Sequence, residues 1–337
     1  MTISPRVTTI VVNWNGRAYL EKCLASLSAQ QYQPHEIVMV DNGSIDGSID
    51  FVEAHFPEVR LIRQSHNIGF AAANNLAMRE SSGAYVAVLN NDAYAAPDWL
   101  SRMVDVAESD PRIGMIACKL LFANPANVIN SAGLVMDWAG FTWDWRGGEL
   151  DDPTETQIEE CFGASGAAAL YRRAMLDDIG LYDEDFFAYA EDADLNWRAQ
   201  KAGWRCVYVP TARVYHVASA TSGEGSRFKT YLLGRNKIWL LAKNLPAGRY
   251  LLYVPLMIGY DLLADGWGLL KRRDVGAIEG RWAGLRGLRR MLRKRRTLVN
   301  RSEAYLRLIK QPQWPWQAAL RFKHVQARIE AQQHGRK

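Results

Sequence analysis

Three short stretches of the sequence decide the fold: VTTIVVN at residues 7–13, IVMVD at residues 37–41 and YVAVL at residues 85–89. Each is an apolar run that ends at polar residues, and such runs are typical of strands buried on both faces in a parallel sheet. Between the first two, apolar side chains recur at helical spacing, at Leu20, Cys23, Leu24 and Leu27. The alternation of strands and helices predicts an α/β fold with a mostly parallel sheet and flanking helices.

The pattern continues through the first third of the chain. We predict helices over about 48–56 and 70–79, with a strand at 59–62 between them. Ligands of open parallel sheets bind beyond the carboxyl ends of the strands. The residues that end these strands, Asn13, Asp41 and Asn90–Asp92, are therefore the first functional candidates.

The composition indicates a globular chain with a large core, since 48% of the 337 residues are hydrophobic. The four cysteines stand singly, without a CxxC pair, so neither a zinc site nor a disulfide framework is expected and a reducing compartment fits best. The apolar run near the N-terminus is too brief for a signal peptide, which favours a cytoplasmic location.

The positive charge is concentrated in one segment. Residues 271–301 hold twelve Lys or Arg against two acids, a local net charge of +10, whereas the whole chain has a net charge of +5. Just before it, residues 250–270 are strongly apolar but contain Asp261 and Asp265, which disfavours a membrane-spanning helix. For the C-terminal region, 245–337, we expect cationic helices at a membrane surface. The alternative is that these helices pack on the catalytic domain or form an oligomer interface.

The segment from about 124 to 160 has weak periodicity and is rich in glycine and tryptophan, with Trp138, Trp143 and Trp145. Long loops of this kind often shape a pocket. We interpret the segment as the acceptor-binding region.

Several motifs offer contacts for a nucleotide. Asn13, Trp14 and Asn15 present two amides and an aromatic face, and the Asp41 carboxylate could accept the imide N–H of uracil or thymine. The alternative for Asp41 and Ser44 is simple helix capping. Downstream, HNIGF at 66–70 followed by Asn74 forms a turn into a helix whose N-terminal amides could contact nucleotide or sugar, although ordinary turn chemistry would use the same residues.

A divalent-metal site is suggested by Asn90, Asn91 and Asp92. Hard cations prefer oxygen ligands, and a carboxylate beside amides could hold Mg²⁺ or Mn²⁺ together with a diphosphate. Only one acid is present, and a turn after a strand would use the same residue types. His216, which ends a later strand, could supply a second ligand, although a lone histidine is more often structural.

The strongest motif is FFAYAEDADL at 186–195, where three acids stand among aromatic residues. Glu191 and Asp192 would open a helix, a position that favours negative charge by itself. The apolar surroundings nevertheless predict a partly buried carboxylate, which is the environment of a general base.

In this order and spacing, the motifs resemble those of the family 2 glycosyltransferases, most closely the bacterial rhamnosyltransferase-like branch. The resemblance runs from about residue 7 to 244 and includes Gly166–Ala167 and Gly234–Asn236. It implies a GT-A fold over 1–244, with a donor-binding half at about 1–120 and an acceptor-binding half at about 121–244. It also implies an inverting hexosyltransferase that uses a nucleoside-diphosphate sugar.

Carried onto this chain, the resemblance makes Asp41 the base-recognition carboxylate, flanked by Trp14. It puts Asn90–Asp92 at the metal-binding motif, His216 at a further metal or diphosphate ligand, and Asp192 at the catalytic base. Glu191 is expected to support the acceptor site or to orient Asp192, and a helix-start role is the alternative. The amide at Asn90, where the family has an acid, predicts weaker metal binding that depends on the donor diphosphate. The other expected donor contacts are Asn13, Asn15, Asn42, Ser44, Asn67, Gly69, Asn74, Asn91, Gly166 and Arg235.

The expected donor is dTDP-rhamnose or a UDP-sugar, and the expected acceptor is a lipid-linked or cell-surface saccharide at the inner face of the membrane. Two other classes of protein remain open at this point. A nucleotidyltransferase would need a glycine-rich loop with a lysine after the first strand, where this chain has Asn13–Asn15. A nucleic-acid-binding protein could use the basic segment, but the segment has no recognisable reading motif, so we expect no nucleic-acid partner.

Overall fold

The computed structural model describes residues 4–217 and 226–312, together with positions 327 and 331. Its strands are β1 (Val7–Asn13), β2 (His35–Asp41), β3 (Arg60–Arg63), β4 (Tyr85–Leu89), β5 (Ala93–Ala95), β6 (Ile113–Phe122), β7 (Ile129–Ser131), β8 (Leu134–Met136), β9 (Thr142–Asp144), β10 (Glu159–Cys161), β11 (Ala168–Arg172) and β12 (Arg205–His216). Its α-helices are α1 (Arg17–Ser28), α2 (Ser48–His55), α3 (Phe70–Glu80), α4 (Trp99–Ser109), α5 (Arg173–Ile179), α6 (Glu191–Ala202), α7 (Arg227–Asn244), α8 (Ala247–Trp267), α9 (Gly276–Arg286) and α10 (Leu288–Arg295).

The main sheet has the strand order β10-β12-β6-β11-β4-β1-β2-β3, with β5 paired to β12 and β7 to β6. Strands β3, β2, β1 and β4 run parallel, whereas β11 is antiparallel to both of its neighbours, β4 and β6. The predicted α/β architecture is confirmed, and the strand directions are more mixed than expected. The parallel part is the part in which strands and helices alternate regularly along the chain.

The first strand explains why helices cover both faces of this sheet. Successive side chains of a strand point to opposite faces, and β1 is apolar on both. Val7 and Val11 pack with α1, α2 and α4 in one core, whereas Ile10 packs with α3, α5 and α6 in another. The register places Asn13 beside Asp41, so two polar strand ends meet at one edge of the sheet.

The tryptophan-rich segment is more ordered than its weak periodicity predicted. It contains β7 and a separate two-stranded sheet of β8 and β9, in which Leu134 lies opposite Asp144. These strands have three residues each, which is too short for an alternating pattern to be visible in the sequence.

The C-terminal helices pack on the catalytic part through a third core, which includes Trp138, Phe186 and Tyr253. Helix α9 lies directly on α7 because it presents a stripe of glycines, Gly276, Gly280 and Gly284. A side chain at Gly280 would overlap the backbone oxygen of Tyr231 in α7. Helices thus make up most of the predicted C-terminal region, 245–337, as far as the end of α10. Much of the region after α10 lies outside the described residues.

Candidate active site

A hydrogen-bonded cluster occupies the carboxyl ends of β1 and β2. The amide of Asn13 donates to Asp41 Oδ1 and to Ser44 Oγ, both at 3.1 Å, and the Ser44 N–H donates to Asp41 Oδ2 at 2.9 Å. Asp41 has no exposed surface. The structure brings these predicted site residues together, but the buried position of Asp41 does not support its predicted contact with a base, which stays a prediction.

The exposed part of this cluster is Trp14 and Asn15. Asn15 has a φ of +52° and is held by Ser44 Oγ, which accepts its N–H at 2.9 Å. Its side-chain oxygen accepts the N–H of Ile45 at 2.9 Å. The indole of Trp14 is 42% exposed, so it presents the aromatic face that the sequence assigned to the base.

A second cluster joins the turn after β2 to the start of α3. Asn42 donates to Asn67 Oδ1 at 2.9 Å and accepts the N–H of Ile68 at 2.9 Å. Asn67 Oδ1 also accepts the N–H of Gly69 at 2.9 Å. Asn74 is buried and donates to the Phe70 carbonyl of its own helix at 2.9 Å, so its contacts do not support a role in donor binding.

The predicted metal ligands do meet. His216 Nε2 lies 3.1 Å from Asp92 Oδ1 and 3.5 Å from the side-chain nitrogen of Asn90. On the other side of the ring, His216 Nδ1 lies 2.9 Å from Asn130 Oδ1. Both Asp92 and His216 are buried. The pairing of β12 with β5, in which His216 lies opposite Ala93, brings together residues far apart in sequence.

The donor set fits a divalent cation in part. If Asn130 Oδ1 accepts the proton of His216 Nδ1, the lone pair of Nε2 faces the Asp92 carboxylate, and both could bind a cation placed between them. Their separation of 3.1 Å matches that of adjacent ligands in an octahedral shell with bonds of about 2.1 Å. Within the described residues, no group of three His, Cys, Asp or Glu side chains could hold a metal. Further ligands would have to come from the donor diphosphate or water.

Asn91 connects this site to the cluster at the ends of β1 and β2, since its side chain donates to Asn13 Oδ1 at 2.8 Å. Asp92 also lines a cavity of about 490 Å³ whose wall includes Tyr19, Lys22 and Tyr94. Space for a ligand is therefore present directly beside the carboxylate.

Asp192 lies in the first turn of α6, as predicted, and both of its oxygens are held by the backbone. Its Oδ2 accepts the N–H of Gly166 at 2.9 Å, and its Oδ1 accepts the N–H of Ala193 at 2.7 Å. Burial raises the pKa of this carboxyl above its ordinary value, while the two backbone hydrogen bonds oppose the shift. Gly166, which the sequence assigned to the donor, orients the candidate base instead.

Glu191 is more deeply buried than Asp192. Burial, and then the neighbouring Asp192 carboxylate, raise the pKa of Glu191 well above its usual range. Among the described residues, Oε2 of Glu191 has no hydrogen-bond partner. Because burial penalises charge at both carboxyl groups and the two repel each other when both are ionised, a second negative charge is disfavoured at this position.

The loop before α6 is strained and is held by α7. Phe187, Tyr189 and Ala190 all have positive φ values, between 65° and 69°. The side chain of Asn236 donates to the carbonyls of Phe186, Ala188 and Tyr189 at 3.0, 2.8 and 2.7 Å. Strained backbone of this kind persists only where the surroundings fix it.

Arg235 acts on the same loop. Its guanidinium donates to the Phe186 carbonyl at 2.8 Å and lies 4.4 Å from the ring centre of Trp239. These contacts do not support the predicted role of Arg235 in binding a diphosphate. Its neighbour Asn236 belongs to the Gly234–Asn236 motif but was given no role from the sequence.

The structure adds Asp144, at the end of β9, to the candidate site. Asp144 is solvent-exposed and lies close enough to Asp192 and His216 for their charges to act on it. Asp144 and Asn130 were missed because nothing in their local sequence marks them.

Comparison with known proteins decides the family. The profile described as Glycosyl transferase family 2 matches residues 8–180, which is about half of the chain. The chain is a family 2 glycosyltransferase. A curated relative supports this assignment: the N-acetylglucosaminyl-diphospho-decaprenol L-rhamnosyltransferase of Mycobacterium tuberculosis strain H37Rv is 30% identical over 236 residues, covering 64% of this chain and 76% of that protein.

Solved structures show that this glycosyltransferase has a GT-A fold. GalNAc-T7, crystallised with UDP, GalNAc and Mn²⁺, has a TM-score of 0.56 at 17% identity, and the match covers 71% of this chain and 50% of that one. The Pyrobaculum calidifontis mannosyltransferase PcManGT, in complex with GDP-Man and Mn²⁺, has a TM-score of 0.53 at 18% identity, with coverages of 100% and 89%. The expected family and its rhamnosyltransferase-like relatives are confirmed, and membership of this family overrides the nucleotidyltransferase alternative.

Proposed function

We propose that this glycosyltransferase moves a sugar, with inversion, from dTDP-rhamnose or a UDP-sugar to a hydroxyl of a lipid-linked saccharide. A divalent cation assists the reaction, which takes place at the inner membrane surface. The mycobacterial relative is named for a decaprenol-linked acceptor, which supports this class of acceptor. Two structural neighbours hold Mn²⁺ with nucleotides, which supports the cation.

The observation that carries the proposal is the short link between the two halves of the site. Gly166 donates to Asp192, and the carbonyl of the next residue, Ala167, accepts the N–H of Asn90 at 2.9 Å. The candidate base and the strand end that leads to Asp92 are therefore joined through one dipeptide. An acceptor hydroxyl and a donor diphosphate held in this cleft would meet at the anomeric carbon.

In the proposed reaction, Asp192 takes the proton of the acceptor hydroxyl while that oxygen forms a bond to the anomeric carbon. The bond from this carbon to the diphosphate oxygen breaks with its electron pair leaving on the nucleoside diphosphate. Attack from the opposite face inverts the configuration. Glu191 remains protonated beside the base, so the site carries one negative charge at this position rather than two.

Asp92 and His216 would hold the cation, which supplies Lewis-acid neutralisation of the charge on the leaving diphosphate. Asn130 fixes the ring of His216 and therefore the direction of its Nε2 lone pair. At the nucleotide end, Trp14 would stack on the base, and Asn13, Asn15 and Ser44 shape the turn beneath it. These roles rest on the positions of the side chains together with the resemblance to the family.

The test is the Asp192→Asn variant, assayed by release of nucleoside diphosphate in the presence of acceptor. A general base contributes about 10² to 10⁴ in rate, so turnover should fall by that factor. The variant should bind UDP or dTDP as the wild type does. Binding is measured from the shift in unfolding temperature that the nucleotide causes, with and without Mn²⁺. The control is Asp50→Asn, at an exposed acid of α2. Near-normal turnover in Asp192→Asn would falsify the base assignment.

A further inference from the structure

Helix α8 turns a row of aliphatic side chains outward. Leu252, Ile258, Leu262 and Leu263 are each more than half exposed. The opposite side of the helix is buried in the third core, through Tyr253, Met257 and Tyr260. The buried side fixes the helix in place, and the exposed aliphatic side chains form an apolar patch that another apolar surface can cover.

The acids of α8 do not interrupt this row, because both are turned toward the protein. Asp261 accepts hydrogen bonds from Lys237 at 2.7 Å and from Arg281 at 3.2 Å, and Asp265 also pairs with Arg281. Counted along the sequence, these two acids disfavoured a membrane-spanning helix. In the fold, their charges are neutralised by cations from α7 and α9.

The apolar surface continues onto α9. Because Arg281 reaches α8, Ile278 and Leu285, three residues before and four after it, lie on the same side of α9. Both are exposed, as is Trp282, whose ring centre lies 5.5 Å from the Arg286 guanidinium. Aromatic and aliphatic side chains beside arginine are typical of helices that lie in the membrane interface.

Exposed cations follow this surface along the chain. Arg286, Arg289, Arg293 and Arg296 are all exposed, within the segment 271–301 that has a net charge of +10. A second copy of the chain would bring two such segments together and be repelled, whereas anionic headgroups would attract them. Among the described residues, no helix is long and apolar enough to cross a bilayer.

We propose that the outward sides of α8 and α9 dock on an anionic lipid bilayer, with α8 lying in the plane of the interface. The proposal rests on the proposed function, since a lipid-linked acceptor is what such a surface would bring to the site. Its contacts involve none of the candidate catalytic residues. Helix α9 lies on α7, and Asn236 of α7 holds the loop before Asp192, so the surface is connected to the site through packed helices.

The experiment is flotation of the purified full-length protein with phosphatidylcholine vesicles, with and without phosphatidylglycerol, in the absence of nucleotide and sugar. The wild type should float with the anionic vesicles, and added salt should weaken binding. The double variant Leu262→Gln/Leu263→Gln should bind at least about tenfold more weakly. Arg289→Gln/Arg293→Gln should lose about tenfold on anionic vesicles only.

The matched control is Leu150→Gln/Ile158→Gln, which removes two exposed aliphatic side chains from the catalytic part and should float like the wild type. UDP-dependent thermal stabilisation reports whether each variant is folded. Equal flotation of the leucine variant and the wild type would overturn the proposal. A wild-type dimer by light scattering, dissociated by the leucine substitutions without vesicle binding, would overturn it in favour of a second copy. Vesicle binding without any nucleotide binding would instead count against the proposed function.

Discussion

The peptide N–H of Gly166 lies 2.9 Å from Oδ2 of Asp192. A side chain at Gly166 would press on this carboxylate, since its Cβ would lie 3.3 Å from the same oxygen. The next residue, Ala167, binds Asn90 through its carbonyl. The distance between the candidate base and the candidate cation site is therefore set by covalent geometry and two hydrogen bonds. Three predictions test the groups around this link.

The first prediction concerns Asn130, which contacts the far nitrogen of His216. Asn130→Ala removes the acceptor that orients the imidazole, and loss of such an outer partner costs about 10- to 100-fold in metal affinity. We expect the Mn²⁺ concentration for half-maximal binding, measured by electron paramagnetic resonance with UDP present, to rise by that factor. Excess Mn²⁺ should restore turnover.

The control for this change is Asn300→Ala, at an exposed amide of the C-terminal region. A variant of Asn130 with unaltered Mn²⁺ binding would contradict the role of Asn130 in orienting a metal-bound His216.

The second prediction concerns the pH dependence of stability. The pKa of Glu191 is raised in the folded protein, whereas in the unfolded chain it is about 4.3. At pH values between the unfolded and the folded pKa, the folded state binds more protons than the unfolded state. Glu191 therefore makes the free energy of unfolding fall as pH rises. Glu191→Gln removes the effect and should be more stable than the wild type by about 1 to 3 kcal/mol at neutral pH.

The difference in free energy of unfolding between Glu191→Gln and the wild type should vanish below about pH 4, where Glu191 is neutral in both the folded and the unfolded wild type. Urea unfolding at several pH values measures it, with the exposed Glu21→Gln as the control. A difference that does not vary with pH would contradict the buried, protonated state of Glu191.

The third prediction concerns Asn236 and tests whether this residue positions the loop before Asp192 or only stabilises the fold. Asn236→Ala leaves three carbonyls of the strained loop without their donor, at a cost of about 1 to 3 kcal/mol. Because the loop leads directly into Asp192, kcat should fall by at least about tenfold while KM for the donor stays the same.

Gln30→Ala provides the comparison, since Gln30 is buried and donates to the backbone of Ser26 and Ala96 away from the site. It should lose stability and keep kcat. If both variants lowered kcat equally, Asn236 would have only a structural role.

The sequence predicted the first third of the fold closely. The predicted bounds of β1, Val7–Asn13, and β4, Tyr85–Leu89, agree with the structure, and α3 ends one residue later than expected. These elements are apolar runs or faces whose pattern is local and whose ends coincide with polar residues. The proximity of Asp92 and His216 also agrees with the expectation, which came from the need for a second ligand and from the resemblance to the family.

Other features could not be predicted, because they depend on contacts between distant segments. Asp144 lies in a three-residue strand with no visible period, and it enters the cleft only through pairing with β8. Arg235 was expected to contact the donor, yet its guanidinium turns to the Phe186 carbonyl. Asp261 was counted from the sequence as an acid that disfavours a spanning helix, but its ion pairs with Lys237 and Arg281 could not be read from the sequence.

The glycine stripe of α9 has a geometrical consequence. With no side chains between α9 and α7 along Gly276, Gly280 and Gly284, the two helices have no slack to slide or tilt against each other. A chain resting on a bilayer through α8 and α9 would hold its active site at a constant height above the headgroups. The enzyme would then select acceptor hydroxyls by their distance from the bilayer as well as by their chemistry.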